Sequence, residues 1–325
     1  MIITRTPFRI SFAGGGSDLA SYYRQEGGAV LSTTIDKYMY IVLHPHFDRR
    51  KIQLKYAKTE LVGHISEIKH PIFREVLNMY QLSGVDINSI ADIPSGTGMG
   101  SSSSFTVGLL NAVKTYIGKE TDAETLASEA CHVEIDLVGS PIGKQDQYAA
   151  AYGGLNFITF RPDDTVGVER IGISPKAKQQ LERNLVLVYI GGQHSANEIL
   201  QSQSASIRQA DKSAVMRQMV GLAYQLKEAL SANDLDSFGR ILHEGWMLKR
   251  TLTEGISNNS IDDIYERGIK SGATGGKLLG AGGAGFILFY CPEEKQERFR
   301  HEMAAWTEMP FHFDENGSQV IYVGQ

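Results

Sequence analysis

The sequence has few cysteines and no long apolar run. Its 2 cysteines, Cys131 and Cys291, are too few for a disulfide framework and are typical of a reducing compartment. Both lie among apolar residues, which predicts buried, unreactive thiols. No run reaches the roughly 20 apolar residues of a membrane-spanning helix, and the first residues lack the layout of a signal peptide. We therefore expect a cytoplasmic protein with no membrane partner.

An excess of positive charge is also missing. The 32 Lys and Arg residues and 37 Asp and Glu residues give a formal net charge of −5, which leaves no basic footprint for a nucleic-acid partner. Hydrophobic residues make up 42% and charged residues 21% of the chain, as in ordinary globular proteins. At 325 residues the chain has enough material for two domains or for one large one.

One segment stands out, Ile93–Ser104, which reads IPSGTGMGSSSS. Apolar residues then recur at three- and four-residue steps from Phe105 to Ile117, which predicts a helix that begins directly after the loop. The first turn of a helix presents free N–H groups and partial positive charge, and glycines let the backbone approach an anion closely. The segment therefore predicts a phosphate-binding loop with these candidate residues: Pro94, Gly96, Gly98, Gly100, Ser101, Ser102 and Ser103.

Two common nucleotide motifs are missing from this loop. The Walker A pattern requires a lysine that the loop lacks, and the glycine spacing G-x-G-x-G differs from the dinucleotide-binding G-x-G-x-x-G. The alternative interpretation is a flexible Gly/Ser linker. The immediate start of a periodic helix argues against the linker.

Two more glycine-rich segments lie at residues 13–16 and 272–285. Three such segments, each next to a strand or helix end, fit a nucleotide site built from backbone better than three unrelated turns. Phosphoryl transfer also needs a metal holder, a cation and a group that takes the proton of the acceptor hydroxyl. The candidates are Asp18, Glu134, Asp146, Arg9 and Lys277. For each of them a cap or a solvated position is the alternative, and His194 is equally a helix cap or a substrate contact.

Hydrophobic periodicity also predicts the organisation of the chain. It predicts strands at 29–35 and 37–44 and one long helical stretch at 196–230. It further predicts a helix whose apolar face is formed by Leu126, Ala130, Val133 and Leu137. A polar stretch at 175–183 predicts a domain boundary. The expected domains are residues 1–175, which carry the loop 94–104, and residues 176–325, which carry the loop 272–285.

Three segments together resemble the signature blocks of the GHMP small-molecule kinases. They are PFRISFAGGGSD at 7–18, PSGTGMGSSSS at 94–104 and GGKLLGAGGAGFILF at 275–289, in order and spanning nearly the whole chain. The resemblance implies an α+β, two-domain fold, with an N-terminal domain like domain 2 of ribosomal protein S5 and a ferredoxin-like C-terminal domain. It implies ATP and Mg²⁺ as cofactors and a site between the domains.

Within that family, segments 134–157 and 243–286 are most similar to D-glycero-D-manno-heptose 7-phosphate kinases. These enzymes use ATP to phosphorylate an anomeric hydroxyl and form the 1,7-bisphosphate. The resemblance implies that Asp146 is the base or the orienter of that hydroxyl and that Arg9 contacts the transferring phosphate. It implies Mg²⁺ binding by Ser102 and Glu134. Substrate contacts are implied for Asp18, Gly16, Ser17, Gly282 and Gly283.

Some positions depart from the family patterns. Galactokinases have G-E-H-T-D where this chain has Gly14–Asp18, which speaks against galactose as the acceptor. Heptokinases are expected to have an arginine near position 194, where this chain has His194. Two alternatives therefore stay open: another anomeric sugar kinase of the fucokinase type, and a non-catalytic sugar or nucleotide sensor. A sugar or sugar phosphate is the expected small-molecule partner, and a homodimer is left open.

Overall fold

The computed structural model describes residues 1–192, 196–207 and 209–324. His194 lies outside the described residues, so its role stays a prediction. The strands, in chain order, are β1 Ile2–Ala13, β2 Gly28–Pro45, β3 Ile52–Lys55, β4 Thr59–Val62, β5 Val85–Ala91, β6 Asn156–Phe160, β7 Val166–Arg170, β8 Leu185–Gly191, β9 Gly275–Leu278, β10 Gly285–Tyr290, β11 Thr307–Glu308, β12 Phe313–Asp314 and β13 Gln319–Val323.

The α-helices are α1 Ala20–Glu26, α2 Pro71–Met79, α3 Ser101–Tyr116, α4 Ala123–Cys131, α5 Gln145–Tyr152, α6 Pro175–Asn184, α7 Ala196–Ser206, α8 Ala210–Ser231, α9 Asp236–Arg250, α10 Asn259–Lys270 and α11 Gln296–Glu302. A π-helical turn, His132–Leu137, continues α4. Short 3₁₀ turns lie at Ile65–Glu67 and Glu293–Lys295.

The strands form two sheets. The first has the order β13-β1-β2-β5-β3-β4, with β6, β7 and β12 attached through β2. All its strand pairs are antiparallel except β3 with β5. The second is a four-stranded antiparallel sheet in the order β11-β8-β10-β9. Helices pack on both sheets, which confirms the predicted α+β, two-domain class.

The end of the chain returns to the first sheet. Ile2 of β1 lies opposite Val323 of β13, and Thr34 of β2 lies opposite Asp314 of β12. Strands of the second sheet come from residues 185–308 only. The last two strands complete the N-terminal sheet, because strand pairing does not follow chain order. The division at residue 175 stays a prediction.

The first sheet positions the start of α3. β1 is buried along its last eight residues, and α3 packs across β1 and β2. Gly108 permits this close approach, because a Cβ there would lie 2.8 Å from Thr6 Oγ1. Arg9 N of β1 donates to Met99 O at 3.2 Å. The loop before α3 is therefore tied directly to β1.

The π-helical turn changes which residues face inward. Val133 is buried as predicted, but Leu137 is 42% exposed and Glu134 is 1% exposed. In the turn, Val138 N bonds to Val133 O at 2.9 Å, five residues back instead of four. The extra residue rotates the chain beyond Val133. The prediction for Leu137 is therefore wrong, and Glu134 takes the inward position.

Two other predicted elements differ from the structure. The expected strands 29–35 and 37–44 form the single strand β2, whose register with β1 shifts between Pro7 and Phe8. Since proline has no N–H to donate, an irregularity at that point leaves no ladder donor of Pro7 unpaired. The long helical stretch at 196–230 is two helices, α7 and α8.

Two apolar cores support these layers. The larger lies along the first sheet, and the smaller is built around Trp246, Phe289 and Phe299. Cys131 and Cys291 are buried free thiols, as predicted. Across the described ranges, no helix combines the length and apolar character needed to cross a membrane.

Candidate active site

Both halves of the chain line one cavity of about 440 Å³. The N-terminal half contributes β1, the loop before α1, the loop before α3 and the start of α5. The C-terminal half contributes α7, α9, β9 and the loop between β9 and β10. All three glycine-rich segments of the sequence therefore meet at this cavity.

The N-terminus of α3 faces the cavity without a side-chain cap. Gly100 is the N-cap residue, and its φ of 75° lies in the left-handed region that favours glycine. The first helical hydrogen bond is from Ser104 N to Gly100 O at 2.9 Å. The N–H groups of Ser101, Ser102 and Ser103 precede it, so they are free of helical partners. Such a turn binds phosphate groups.

Glycines let the predicted phosphate loop, residues 94–104, pack against the loop between β9 and β10. Gly98 has a φ of 81°, and a Cβ there would lie 2.5 Å from Leu279 O. A Cβ on Gly280 would overlap Gly98 Cα, and one on Gly285 would overlap Thr97 O. The two loops therefore touch backbone to backbone, which no side chain would allow.

We predict that Gly98→Ala destabilises the fold and weakens nucleotide binding. The matched control is Gly118→Ala, because Gly118 has a similar φ of 72° with nothing within 4 Å of an added Cβ. The control should lose about 1–2 kcal/mol of unfolding free energy from left-handed strain alone. Gly98→Ala should lose about 1–3 kcal/mol more from overpacking. Urea unfolding measures the loss of unfolding free energy in both variants. Equal losses in Gly98→Ala and Gly118→Ala would contradict the contact between the loops.

Arg9 and Asp146 form a fork-to-fork ion pair in the cavity wall. Arg9 Nε donates to Asp146 Oδ1 at 2.7 Å, and a terminal nitrogen donates to Oδ2 at 2.8 Å. The other terminal nitrogen donates to Gly98 O at 2.6 Å. Arg9 is 4% exposed. The guanidinium therefore connects the carboxylate of α5 to the phosphate loop through charge-assisted bonds.

The two glutamines beside Asp146 donate hydrogen bonds to the carboxylates of Asp18 and Glu134. Gln145 Nε2 donates to Asp18 Oδ1 at 3.0 Å. Gln147 Nε2 donates to Glu134 Oε2 at 2.7 Å. Since successive residues of a helix point about 100° apart, three neighbours in α5 reach three different carboxylate or cation partners. Sequence reasoning missed both glutamines, although their place around Asp146 was a signal for them.

Asp18 is held by groups of the chain. Its carboxylate also accepts from Gly16 N at 3.0 Å and from Gln145 N at 3.1 Å. Gly143 is required beside it, because a Cβ there would overlap Asp18 Oδ2. Burial, with the charge of Asp146 nearby, raises the pKa of Asp18. Asp18 thus joins the first glycine loop to the start of α5, and the predicted bond to a sugar hydroxyl stays a prediction.

Glu134 and Ser102 form an oxygen pair below the start of α3. Ser102 Oγ donates to Glu134 Oε1 at 2.5 Å, and burial raises the pKa of Glu134. The described part of the chain holds no cluster of three or more His, Cys, Asp or Glu side chains suited to a metal. Mg²⁺ is usually held by one or two carboxylates, water and substrate phosphates. A hydroxyl and a carboxylate beside a phosphate loop fit that ion.

Two buried lysines complete the wall on the C-terminal side. Lys249 of α9 is 5% exposed and donates to Gly280 O. Lys277 of β9 is 7% exposed and donates to Phe12 O at 3.1 Å. Burial lowers the pKa of both amines, and the positive charge of Arg9 lowers it further.

Lys249 predicts a pH dependence of stability. Its pKa falls from 10.5 to about 8 in the folded chain, so between these values the unfolded state binds more protons. The free energy of unfolding should therefore rise with pH in that window. The cost of burying the charge is fully present below the folded pKa and disappears above the unfolded one.

Lys249→Met removes this cost at every pH. Its stability advantage over the parent should therefore shrink by about 3 kcal/mol between pH ~7 and pH ~10.5. Urea unfolding of both proteins across that range gives the difference. Lys144→Met is the control, because Lys144 is paired with Asp164 outside the cavity. A difference that stays constant with pH would contradict the buried charge at Lys249.

The cavity wall contains most of the predicted site residues: Arg9, Gly16, Asp18, Gly96, Gly98, Gly100, Ser101, Ser102, Ser103, Glu134, Asp146, Lys277 and Gly282. Three others lie outside it. Pro94 O accepts from Thr97 Oγ1 at 2.9 Å, Ser17 Oγ is paired with the backbone of Ala29, and Gly283 N donates to Ile256 O at 3.1 Å. These three have structural contacts, and their binding roles stay predictions.

An uncapped helix start opposite an arginine–carboxylate pair, in a cavity shared by two α+β domains, is suited to phosphoryl transfer. Residues 66–154 match the model of the GHMP kinases N terminal domain, and residues 226–307 match that of the GHMP kinases C terminal domain. The chain belongs to the GHMP kinase family.

Similar proteins agree with this assignment. The chain is 29% identical over 309 residues to D-glycero-alpha-D-manno-heptose 7-phosphate kinase of Campylobacter jejuni, with 91% of each chain covered. It is 24% identical over 320 residues to galactokinase of Pyrococcus furiosus, with 90% of each covered. The crystal structure of a D-glycero-D-manno-heptose 1-phosphate kinase from Bacteroides thetaiotaomicron superposes with a TM-score of 0.81 at 25% identity, over 100% of both chains.

Proposed function

We propose that this protein is an ATP- and Mg²⁺-dependent sugar kinase that phosphorylates an anomeric hydroxyl. The observation that carries the proposal is the Arg9–Asp146 pair, which is bonded to Gly98 of the phosphate loop. The pair brings a carboxylate, which can accept a proton, and a fixed cation to the place where α3 would hold a triphosphate. A purely structural ion pair would not need this position in a cavity wall.

Each residue then has a chemical role. Asp146 orients the acceptor hydroxyl and takes its proton, through lone pairs that Arg9 leaves open. The acceptor oxygen forms its bond to the γ-phosphorus while the bond to the leaving ADP oxygen breaks. Arg9 and the free N–H groups at the start of α3 stabilise the charge on the transferring group. Because these groups are already in place, little reorganisation is required.

Ser102 and Glu134 would hold Mg²⁺. The ion supplies neutralisation of charge on the triphosphate when it is bound. We predict that Ser102→Ala and Glu134→Gln raise the Mg²⁺ concentration needed for half-maximal activity by about tenfold, because each removes one oxygen of the pair. A Mg²⁺ titration at saturating ATP measures it. The control is Ser140→Ala, a cavity residue whose substitution keeps the main-chain bond from Ser140 N to Glu134 O. Titrations that overlay the parent's would refute this metal site.

The acceptor we propose is D-glycero-D-manno-heptose 7-phosphate, with the 1,7-bisphosphate as product. Two similar proteins are kinases of heptose phosphates by name, which supports a phosphorylated heptose. The Arabidopsis thaliana bifunctional fucokinase/GDP-fucose pyrophosphorylase is 25% identical over 329 residues, and this supports the fucokinase-type alternative. In that match the chain spans 31% of the plant protein.

Coupled ADP release with Mg-ATP tests the proposal. The panel contains heptose 7-phosphate, mannose, fucose, galactose and mevalonate. We expect a response confined to heptose 7-phosphate. A response to an unphosphorylated sugar would keep the mechanism and replace the acceptor. No turnover with any acceptor, while ATP still binds, would overturn the kinase proposal in favour of a sensor.

A further inference from the structure

Lys249 and Lys277 are buried amines that lack a carboxylate partner within the described ranges. Each ammonium group donates to a main-chain carbonyl, of Gly280 and of Phe12 respectively. In the described ranges neither forms an ion pair with a carboxylate. Lys114 is the contrast: it is equally buried, and it pairs with Glu129 at 2.8 Å. Burying a charge without a partner is costly, so the two cavity lysines call for a ligand.

Both lysines have positive charge nearby. Arg9 disfavours the charged form of both amines, and Lys249 disfavours that of Lys277. The charges of Asp18 and Asp146 favour that of Lys249. Asp146 is already occupied by Arg9, and Asp18 accepts three hydrogen bonds from the chain. An incoming anion would therefore meet positive charge that the fold itself does not neutralise.

Unpaired polar atoms lie in the same wall. Ser11 Oγ and Gln203 Nε2 have no hydrogen-bond partner within the described structure, and these residues are 5% and 1% exposed. Both line the cavity. Buried polar atoms without partners are rare in folded proteins. A ligand with several oxygens would satisfy them together with the two ammonium groups.

We propose that Lys249 and Lys277 form the subsite for a phosphate group carried by the acceptor sugar. This inference rests on the proposed function. The nucleotide's phosphates have their own donors at the start of α3. Lys277 contacts Phe12. Phe12 follows Arg9 by three residues in β1, so it lies nearer to the glycine loop that ends at Asp18. The subsite therefore lies on the acceptor side of the ion pair, and it selects sugar phosphates over free sugars.

Calorimetry on the parent and on Lys249→Met, Lys277→Met and the double variant tests this subsite. The titrants are heptose 7-phosphate, the unphosphorylated heptose and a non-hydrolysable ATP analogue with Mg²⁺. Charged hydrogen bonds predict about a tenfold loss of sugar-phosphate affinity per lysine, with affinities for free heptose and for the ATP analogue within twofold of the parent. Lys144→Met, outside the cavity, should bind all three like the parent.

Thermal unfolding without ligand separates binding from folding. The variants should unfold at the parent's temperature or above it, because methionine removes a buried charge. A lower temperature together with unchanged sugar-phosphate affinity would mean that the lysines are structural, and it would overturn the inference. Loss of affinity for the ATP analogue, with sugar-phosphate preference retained, would overturn it in favour of a nucleotide contact.

Binding of inorganic phosphate tests the subsite without assuming which sugar is the acceptor. The phosphate is added to protein saturated with the ATP analogue, so the nucleotide's own phosphate sites are filled. We expect it to raise the unfolding temperature of the parent and of Lys144→Met, and to leave that of the double variant unchanged. This result would support the subsite even if heptose 7-phosphate were not a substrate. Equal shifts in all proteins would overturn the subsite even if heptose 7-phosphate were one.

Discussion

Asp146→Asn is expected to lower kcat by about 10²–10⁴-fold. The amide has nearly the volume of the carboxylate, but it cannot take the proton of the acceptor hydroxyl, and it replaces one acceptor oxygen of the Arg9 fork by a donor. Within the described structure, the hydrogen bonds that link Asp146 to the phosphate loop run through Arg9, which donates to both carboxylate oxygens and to Gly98 O. Nucleotide affinity should therefore stay within a few-fold of the parent.

Steady-state kinetics with the best acceptor and calorimetry with an ATP analogue measure the two effects separately. Asp136→Asn is the control, because Asp136 is an exposed carboxylate bonded to His132 outside the cavity. It should leave both values unchanged. Near-normal turnover in Asp146→Asn would show that this carboxylate neither orients the acceptor nor takes its proton.

Arg9→Met is expected to lower kcat by about 10²–10³-fold, as for the loss of a donor that stabilises transition-state charge. It should also lower the free energy of unfolding by about 3 kcal/mol, at the lower end of the cost of breaking a buried pair. The lower end applies because Asp146 is 23% exposed and water can partly solvate it. Gly98 O would lose its donor too.

Arg9→Lys separates the effect on turnover from the effect on stability. Lysine keeps the charge but cannot form the two-pronged contact with Asp146 and also reach Gly98 O. It should recover much of the stability and only part of the turnover. Kinetics and urea unfolding of both variants give these values. Full activity in Arg9→Met would contradict any role of the guanidinium in phosphoryl transfer, whatever its effect on folding.

The turn conformation of the loop before α3 could be predicted because its evidence is local. The spacing of Gly96, Gly98 and Gly100, the serines after them and the helical periodicity beyond Phe105 lie in consecutive residues. Backbone conformation at such a loop depends mainly on its own glycines. Asp146 and Arg9 were candidates from the residues, and their predicted roles followed from resemblance to a family, since a lone carboxylate or arginine carries no such local signal.

Other features depend on contacts between distant residues. The π-helical turn brought Glu134 inward against the regular spacing that placed Leu137 there. Asp18 was expected to face a sugar, and the structure surrounds it with donors from Gly16 and Gln145. Gln145 lies 127 residues from Asp18, and Ser102 lies 32 residues from Glu134, so periodicity could not reveal these contacts.

The sequence by itself determined the fold class, the glycine-rich loop before α3 and the family, because these depend on local conformation and on short ordered motifs. Only the tertiary structure decided that Lys249 and Lys277 line one cavity with Arg9. They belong to a helix and a strand that pack together across the C-terminal half. The proposed role of these lysines depends on their burial without a counter-charge. Burial is a property of the packed chain, and the residues next to each lysine in the sequence do not reveal it.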